Sequence, residues 1–164
     1  MRLHQRFSVH VTLIIMGAVC VLSGTAAWAK DPPSDLCSLL TPDQLQKTLG
    51  QAFGAAEKGT WPPPFAGQPS GTSCGYSAKN QHSKVTFIAY VDPSAAQAKQ
   101  NFDKLSMWFP AKSKPAIGDA AYIDTGGAIH VLKGRVRYYV KLEWSGGSSD
   151  KAVQDLASLV ATEI

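Results

Sequence analysis

Apolar and polar residues alternate most regularly between positions 135 and 144, and this pattern predicts a β-strand. One side of that strand carries Val136, Tyr138, Val140, Leu142 and Trp144 and the other side carries Arg135, Arg137, Tyr139, Lys141 and Glu143. Shorter patterns predict strands at about 75–78, 84–91, 119–124 and 128–132. Because very short turns join the last three strands, we expect them to form an antiparallel meander.

Three other segments carry apolar residues at the three- and four-residue spacing of amphipathic helices. The first begins at Thr41, which forms a capping box with Gln44. The second is capped by Asp92 and has an apolar stripe that ends at Trp108, and the third begins near Ser148 or Ser149. This order of elements predicts an α+β domain of two layers, with an antiparallel sheet of about five strands packed against three helices.

The first 29 residues have the pattern of an export signal. Two early arginines precede an apolar run at 11–22, and Ala27 and Ala29 are the small residues expected before a cleavage point after Ala29. The run is shorter than the about 20 residues that a membrane span needs, although an uncleaved anchor is the alternative. We therefore predict a signal peptide at 1–29 and a single periplasmic or secreted domain at 30–164, with no stable membrane span after cleavage.

Removal of that signal makes the chain nearly neutral. The 164 residues include 16 Lys and Arg against 12 Asp and Glu, a net charge of +4. Two of the basic residues and none of the acids lie in the signal, so the mature balance is 14 against 12, or +2. This charge is far below that of a basic nucleic-acid-binding domain, and export also argues against nucleic acid as a partner.

Cys37 and Cys74 are the two cysteines that remain in the mature chain. The compartment outside the cytoplasm is oxidising, so the pair favours one disulfide. A metal or redox pair is the alternative, but the wide spacing lacks the C-x-x-C pattern. The disulfide would join the segment before the first helix to the first strand and would be structural.

Common catalytic motifs are absent from the sequence, including the P-loop, the dinucleotide-binding glycine pattern, H-E-x-x-H and G-x-S-x-G. Catalytic zinc usually needs three protein ligands, and with the cysteines paired only His82, His130 and scattered carboxylates remain. We therefore assign no catalytic residue, metal or cofactor. The alternative is a small exported hydrolase that uses His82 or His130, with both histidines converging in one cleft.

Strand registers predict a polar row across the last three strands. A three-residue turn at Thr125-Gly126-Gly127 would place Tyr122 opposite His130, and a two-residue turn at Lys133-Gly134 would place His130 opposite Arg137. Such a face could bind a small anionic, aromatic or sugar ligand, since arginine offers paired donors, tyrosine a flat surface and histidine a switchable charge. A solvated outer face without a ligand is the alternative.

The candidate ligand-binding residues are Tyr122, His130, Arg137 and Tyr139, with Trp61 and Phe65 as a lid. The lid residues lie in a proline-rich run that should be extended and stiff, or that alternatively covers an edge of the core. Our leading hypothesis is a non-enzymatic binding or accessory domain whose partner is a small ligand or an envelope protein. A third hypothesis is a protein–protein interaction module that presents a sheet edge or the 59–71 loop.

Several short motifs resemble one family of small secreted domains, common as lipoproteins in actinobacteria. They are Cys37-Ser38-Leu39-Leu40-Thr41 at a helix start, Ser73-Cys74-Gly75-Tyr76 at a strand start, Ile117-Gly118-Asp119-Ala120-Ala121-Tyr122 before a hairpin, and the closing amphipathic helix. The resemblance covers about 37–164 and implies an antiparallel sheet packed with helices and a disulfide between the first helix and the first strand. It implies no activity. The lipidated cysteine of that family is missing, so a lipid anchor does not follow.

Overall fold

The computed structural model describes residues 31–79, 82–144 and 149–164, so the predicted signal peptide lies outside the described residues. Helices are α1 (Pro42–Leu49), α2 (Ala95–Trp108) and α3 (Asp150–Glu163), and a 3-10 helix spans Leu36–Leu39. Strands are β1 (Glu57–Trp61), β2 (Gly71–Ser77), β3 (Ser83–Val91), β4 (Ala111–Ser113), β5 (Ala120–Asp124), β6 (Ile129–Lys133) and β7 (Val136–Trp144). In the described ranges, no helix has the length and apolarity to cross a membrane.

All seven strands form one antiparallel sheet in the order β1-β2-β3-β7-β6-β5-β4. The α+β class and the three helices are confirmed, but the prediction of about five strands missed β1 and β4. Both are edge strands whose residues are exposed throughout, so they have no alternation of buried and exposed positions. Because strands are predicted from alternating apolar and polar residues, edge strands without this alternation, such as β1 and β4, are not detected.

Helices cover both faces of the sheet, so the prediction of two layers is wrong. On one face, α1 and α3 pack over the apolar series of β3, β6 and β7, where the main core lies. On the other face, Ala98 and Phe102 of α2 pack against Tyr122 and Leu132. The sequence predicted that this second face is polar and open to solvent. In the structure, α2 buries part of the face, and another part of it lines an open groove.

The predicted disulfide joins Cys37 of the 3-10 helix to Cys74 of β2, with Cα atoms 5.7 Å apart. The hydroxyl of Tyr76 donates to the carbonyl of Leu40 and lies 3.1 Å from the carbonyl of Cys37. One covalent bond and one buried phenol therefore hold the chain before α1 on the sheet. A disulfide is compatible with a secreted or periplasmic protein.

Helix starts agree with the sequence in two cases out of three. Thr41 and Gln44 form the capping box of α1, and Ser149 caps α3. The N-cap of α2 is Ser94, so the prediction of Asp92 at this position is wrong. The Asp92 carboxylate is instead turned inward toward Arg137.

Registers of the last three strands agree with one predicted hairpin and correct the other. Tyr122 pairs with His130 across β5 and β6, as predicted. The β6–β7 turn is displaced by one residue, so that His130 pairs with Tyr139 while Arg137 pairs with Leu132. The prediction that His130 faces Arg137 is therefore wrong. A shift of two residues in pairing leaves every side chain on the same face, so hydrophobic alternation could not detect it.

Arg137 is 2% exposed and does not form part of an open polar face. Its Nε donates to Asp92 Oδ2 at 2.6 Å, its Nη2 donates to Asp92 Oδ1 at 3.3 Å, and its guanidinium lies 4.9 Å from the centre of the Tyr90 ring. Asn101 of α2 also donates to Asp92 Oδ1, at 2.7 Å. Arg137 therefore holds α2 to the sheet and is removed from the candidate ligand-binding residues.

Replacing Arg137 with alanine should lower the free energy of unfolding by about 3–5 kcal/mol, because the Asp92 carboxylate would remain buried without its cation. Urea unfolding measures this change. Arg135→Ala is the matched control, since Arg135 pairs with Asp31 at the surface and should contribute less than about 1 kcal/mol. Equal effects of the two substitutions would contradict a buried ion pair.

Removing the disulfide with Cys37→Ala and Cys74→Ala together should lower the free energy of unfolding by about 4 kcal/mol, as the chain-entropy model gives for this loop. The two cysteines are 37 positions apart in the sequence, so the unfolded chain gains much freedom when the bond is absent. Urea unfolding of the double variant measures the loss. A change below about 1 kcal/mol would show that the covalent bond adds little to the contacts of Tyr76.

Candidate ligand-binding site

A groove of about 1040 Å³ lies on the sheet face that α2 covers only in part. Its floor consists of Thr86 and Ile88 of β3 with Tyr139, Lys141 and Glu143 of β7. One wall is the 61–65 segment at the end of β1, and the opposite wall is the end of α2 with the residues that follow it. The β5–β6 hairpin, with His130 at its base, closes one end.

Aromatic side chains dominate the walls of this groove. Trp61 and Phe65 stand on one wall, and Trp108 and Phe109 stand on the other. The rings of Phe65 and Trp108 approach to 5.9 Å between centres, so the two walls are in contact. Both residues predicted as a lid therefore line the same groove as His130 and Tyr139.

A chain of hydrogen bonds holds both walls in place. Gln68, in the loop that follows Phe65, donates from Nε2 to Asn101 Oδ1 at 3.0 Å. Asn101 in turn donates to Asp92, the buried partner of Arg137. The loop and the helix are thus tied to one another and to the sheet beneath them, which gives the groove a defined width.

His130 lies at the closed end of the groove and is 4% exposed. Its ring stacks on Tyr122 with centres 4.6 Å apart and planes 10° apart, and Phe109 covers the other side at 5.5 Å. The Tyr139 ring meets its edge at 5.2 Å. The structure therefore brings Tyr122, His130 and Tyr139 together, with Tyr122 packed behind the histidine and against Phe102 of α2.

Asp124 sets the orientation of His130. Its Oδ2 is 2.9 Å from His130 Nε2, and its Oδ1 accepts the backbone N–H of Ala128 at 3.0 Å. Burial by itself would raise the pKa of Asp124, but the hydrogen bonds from His130 and Ala128 outweigh burial and hold this pKa below its ordinary value. An ionised Asp124 accepts a hydrogen bond from His130 Nε2–H, so Nδ1 is the ring nitrogen that has no contact with this carboxylate.

Two polar atoms of this cluster have no hydrogen-bond partner in the part of the chain that the structure describes. They are Nδ1 of His130 and the hydroxyl of Tyr122, and both are shut off from solvent. Burial raises the pKa of both phenols, that of Tyr139 to about 12 and that of Tyr122 well above its usual range. The two tyrosines are therefore neutral at physiological pH.

Two carboxylates and one lysine line the groove. Lys141, the cation on its floor, lies 3.0 Å from the carboxylate of Glu143. Asp124 is ionised, and Arg137 is buried in its own ion pair. An anionic ligand would therefore meet only Lys141, which is already paired with Glu143. The hypothesis of an anionic ligand depended on Arg137, and Arg137 is not available in the groove.

The two histidines of the described chain are far apart, so the predicted convergence is wrong. His82 directly precedes β3, and Ile88, which is in register with Tyr139 beside His130, comes six residues later. That separation along a strand is about 20 Å. Among the described residues, no group of three or more His, Cys, Asp or Glu is placed to hold a metal ion.

Sequence reasoning missed the part of the groove that α2 supplies. Trp108 was expected in the buried stripe of this helix, but it is 72% exposed and stands on the groove wall. The adjacent apolar residues Met107, Trp108 and Phe109 were a usable signal, because consecutive positions of a helix cannot all face the same core.

No protein-family model matches this chain, and no curated protein matches it significantly.

Replacing Asp124 with asparagine should lower the free energy of unfolding by about 1–3 kcal/mol near pH 7. The carboxylate accepts from both His130 Nε2 and the backbone N–H of Ala128, whereas an amide has a single oxygen, so one of these two buried donors would face the amide NH2 group. The pKa of Asp124 is lowered on folding, so its stabilising contribution is complete above the unfolded-state pKa near 3.8 and is lost as pH falls through the lower folded value. The difference between wild type and variant should therefore shrink in acid.

Urea unfolding near pH 7 and near pH 3 measures this difference. Asp155→Asn is the control, because Asp155 pairs with Lys151 at the surface and should contribute less than about 1 kcal/mol at either pH. A loss in Asp124→Asn that stays constant between the two pH values would contradict the ionised Asp124–His130 pair.

Proposed function

We propose that this protein is an exported, non-catalytic binding domain whose groove holds a small ligand with a flat ring, either an aromatic ring or the apolar face of a sugar. The observation that carries the proposal is the convergence of aromatic side chains from separate parts of the chain on one groove of about 1040 Å³. Pockets of this size that combine apolar walls with a few polar groups are typical ligand sites.

The arrangement of the walls supports a ring-shaped ligand. Trp61 and Trp108 present broad faces, and flat rings gain about 0.5–1.5 kcal/mol from each stacked or edge contact beyond the burial of area. The floor adds the hydroxyl of Thr86 and the paired charges of Lys141 and Glu143, which can bond to ligand hydroxyls. The contact between Phe65 and Trp108 closes the groove over part of its length.

Binding is better supported than catalysis. A histidine base needs access to the proton that it removes. The free nitrogen of His130 is enclosed by Phe109, Tyr122 and Tyr139, and His82 is about 20 Å away along the sheet. Asp124 and His130 therefore act as a rigid end wall in this proposal.

A second candidate function is supported by the first strand of the sheet. β1 is an edge strand, and all five of its residues are exposed. An open edge can pair with an extended segment of another protein. Glu57 and Lys58 oppose such pairing, since charged residues on an edge protect it against unwanted strands. The groove is for this reason the stronger candidate.

Alanine at Trp61 or Trp108 should weaken ring-ligand binding about fivefold each, as expected for the loss of one stacking contact. The assay is NMR titration of the labelled protein with a panel of monosaccharides and small aromatic compounds, in which shifts should cluster on residues of the groove. Trp144→Ala is the matched control, because Trp144 is 42% exposed against 46% for Trp61 but lies on the opposite face of the sheet.

Saturable shifts at Thr86, Tyr139 and Phe109, with a Kd that rises about fivefold in Trp108→Ala and is unchanged in Trp144→Ala, would support the proposal. Absence of saturable binding across the panel, or binding that neither groove variant weakens, would count against it. Shifts confined to β1 on addition of extended peptides would favour the edge-strand function.

A further inference from the structure

The end of α2 carries the two most exposed large apolar side chains of the described residues. Met107 is 74% exposed, Trp108 is 72% exposed and Phe109 is 46% exposed. Across the groove, Trp61 is also 46% exposed, and Phe65 contacts Trp108. We call these five residues the aromatic tip. Trp61, Phe65, Trp108 and Phe109 line one groove, and Met107 precedes Trp108 directly in the chain. Monomeric soluble proteins seldom leave a large apolar surface open without a use.

The packing of α2 explains why this surface points outward. Ala98, Phe102 and Leu105 recur at helical spacing and are buried against the sheet. Met107 lies on the opposite side of the helix from that stripe, because it is offset by about half a turn from Leu105. Met107 therefore adds nothing to the core of its own domain, and Met107 and Trp108, which are 74% and 72% exposed, protrude from the surface.

Three lysines and no acid occur in the chain segment that carries Met107, Trp108 and Phe109. Residues 104–118 contain Lys104, Lys112 and Lys114 and no acid. In the described part of the chain, no carboxylate lies within salt-bridge distance of Lys104 or Lys114, whereas Lys112 contacts Asp150 at 2.8 Å. Lys104 precedes Met107 and Trp108 by three and four residues, so it lies beside both on the helix surface.

Prolines reduce the cost of bringing this surface into an apolar environment. Pro62, Pro63 and Pro64 separate Trp61 from Phe65, and Pro110 follows Phe109 directly. Proline has no backbone N–H, so these stretches bring fewer unpaired donors into a region that is poor in water. The tip therefore combines exposed aromatic side chains, flanking lysines and few free donors.

We propose that the aromatic tip docks this domain on an anionic lipid surface. Tryptophan is enriched at the headgroup level of membranes, and interfacial binding depends on buried apolar area together with attraction between basic residues and anionic lipids. Lys104 and Lys114 would lie against lipid headgroups while Met107 and Trp108 enter the interface. A protein partner would need a pocket shaped for protruding side chains, whereas a lipid surface yields to them.

This inference is separate from the binding of a ring ligand, although Trp61 and Trp108 belong to both surfaces. The lysines separate the two, since neither Lys104 nor Lys114 lines the groove. Docking would hold the mouth of the groove against the membrane. A ligand could then be presented by the lipid surface or shielded by it.

Flotation of the purified protein with lipid vesicles tests the proposal. The wild type should bind vesicles of equal phosphatidylglycerol and phosphatidylcholine and should bind pure phosphatidylcholine much more weakly. Lys104→Gln with Lys114→Gln should weaken binding to the anionic vesicles about 25-fold, from about fivefold for each lysine. Met107→Ser with Trp108→Ala should weaken it at least about tenfold.

Matched controls come from the other face of the protein. Trp144→Ala removes an exposed tryptophan, and Lys47→Gln with Lys151→Gln removes two lysines of α1 and α3, so both should bind like the wild type. All four tested variants change exposed side chains and should unfold in urea like the wild type.

Wild-type protein that ignores anionic vesicles, or control variants that lose binding as strongly as the tip variants, would overturn the proposal. A concentration-dependent dimer that the tip variants abolish would also overturn it, because a second copy would then cover the tip. If the protein fails to float with anionic vesicles, the docking proposal fails, but the proposal that the groove binds a ring-shaped ligand is still tested independently by the NMR titration. Conversely, the lysine variants should retain ring-ligand binding even where vesicle binding is lost.

Discussion

Arg137 and Asp92 form an ion pair inside the protein, and the position of α2 depends on it. Burying both charges costs free energy, which is offset only when geometry and further hydrogen bonds are favourable. Here two donors of Arg137 reach the carboxylate, Asn101 supplies a third hydrogen bond, and the Tyr90 ring lies beside the guanidinium. The pair fixes one edge of α2 on a sheet face that would otherwise meet water.

From that contact the groove follows. With α2 fixed, Ala98 and Phe102 pack against Tyr122 and Leu132, while Leu105 and Trp108 nearer the end of the helix line the groove. Gln68 links the 62–70 loop to the same network through Asn101. A flat polar sheet face thereby becomes a walled groove with an aromatic rim, and the Asp124–His130 pair closes its end.

Much of the fold could be predicted because its signals are local. The capping box at Thr41, the alternation along β7 and the Tyr122–His130 register all depend on residues close in sequence. The candidate site was predicted less well. Five of its six proposed residues lie in or directly behind the groove, but Arg137 does not, and Trp108 and Phe109 were missed.

The sequence by itself determined the three helices, five of the seven strands, the starts of α1 and α3, and which cysteines can pair, because spacing and capping act over a few residues. Tertiary structure alone decided what a polar side chain meets on its face of the sheet. The alternation along β7 predicts that Arg137 is an exposed cation. In the structure, Arg137 is buried in an ion pair with Asp92, which is 45 residues away in the sequence. This long-range contact forms because α2 packs on the sheet face that carries Arg137. The local sequence pattern does not show which face of the sheet a helix will cover.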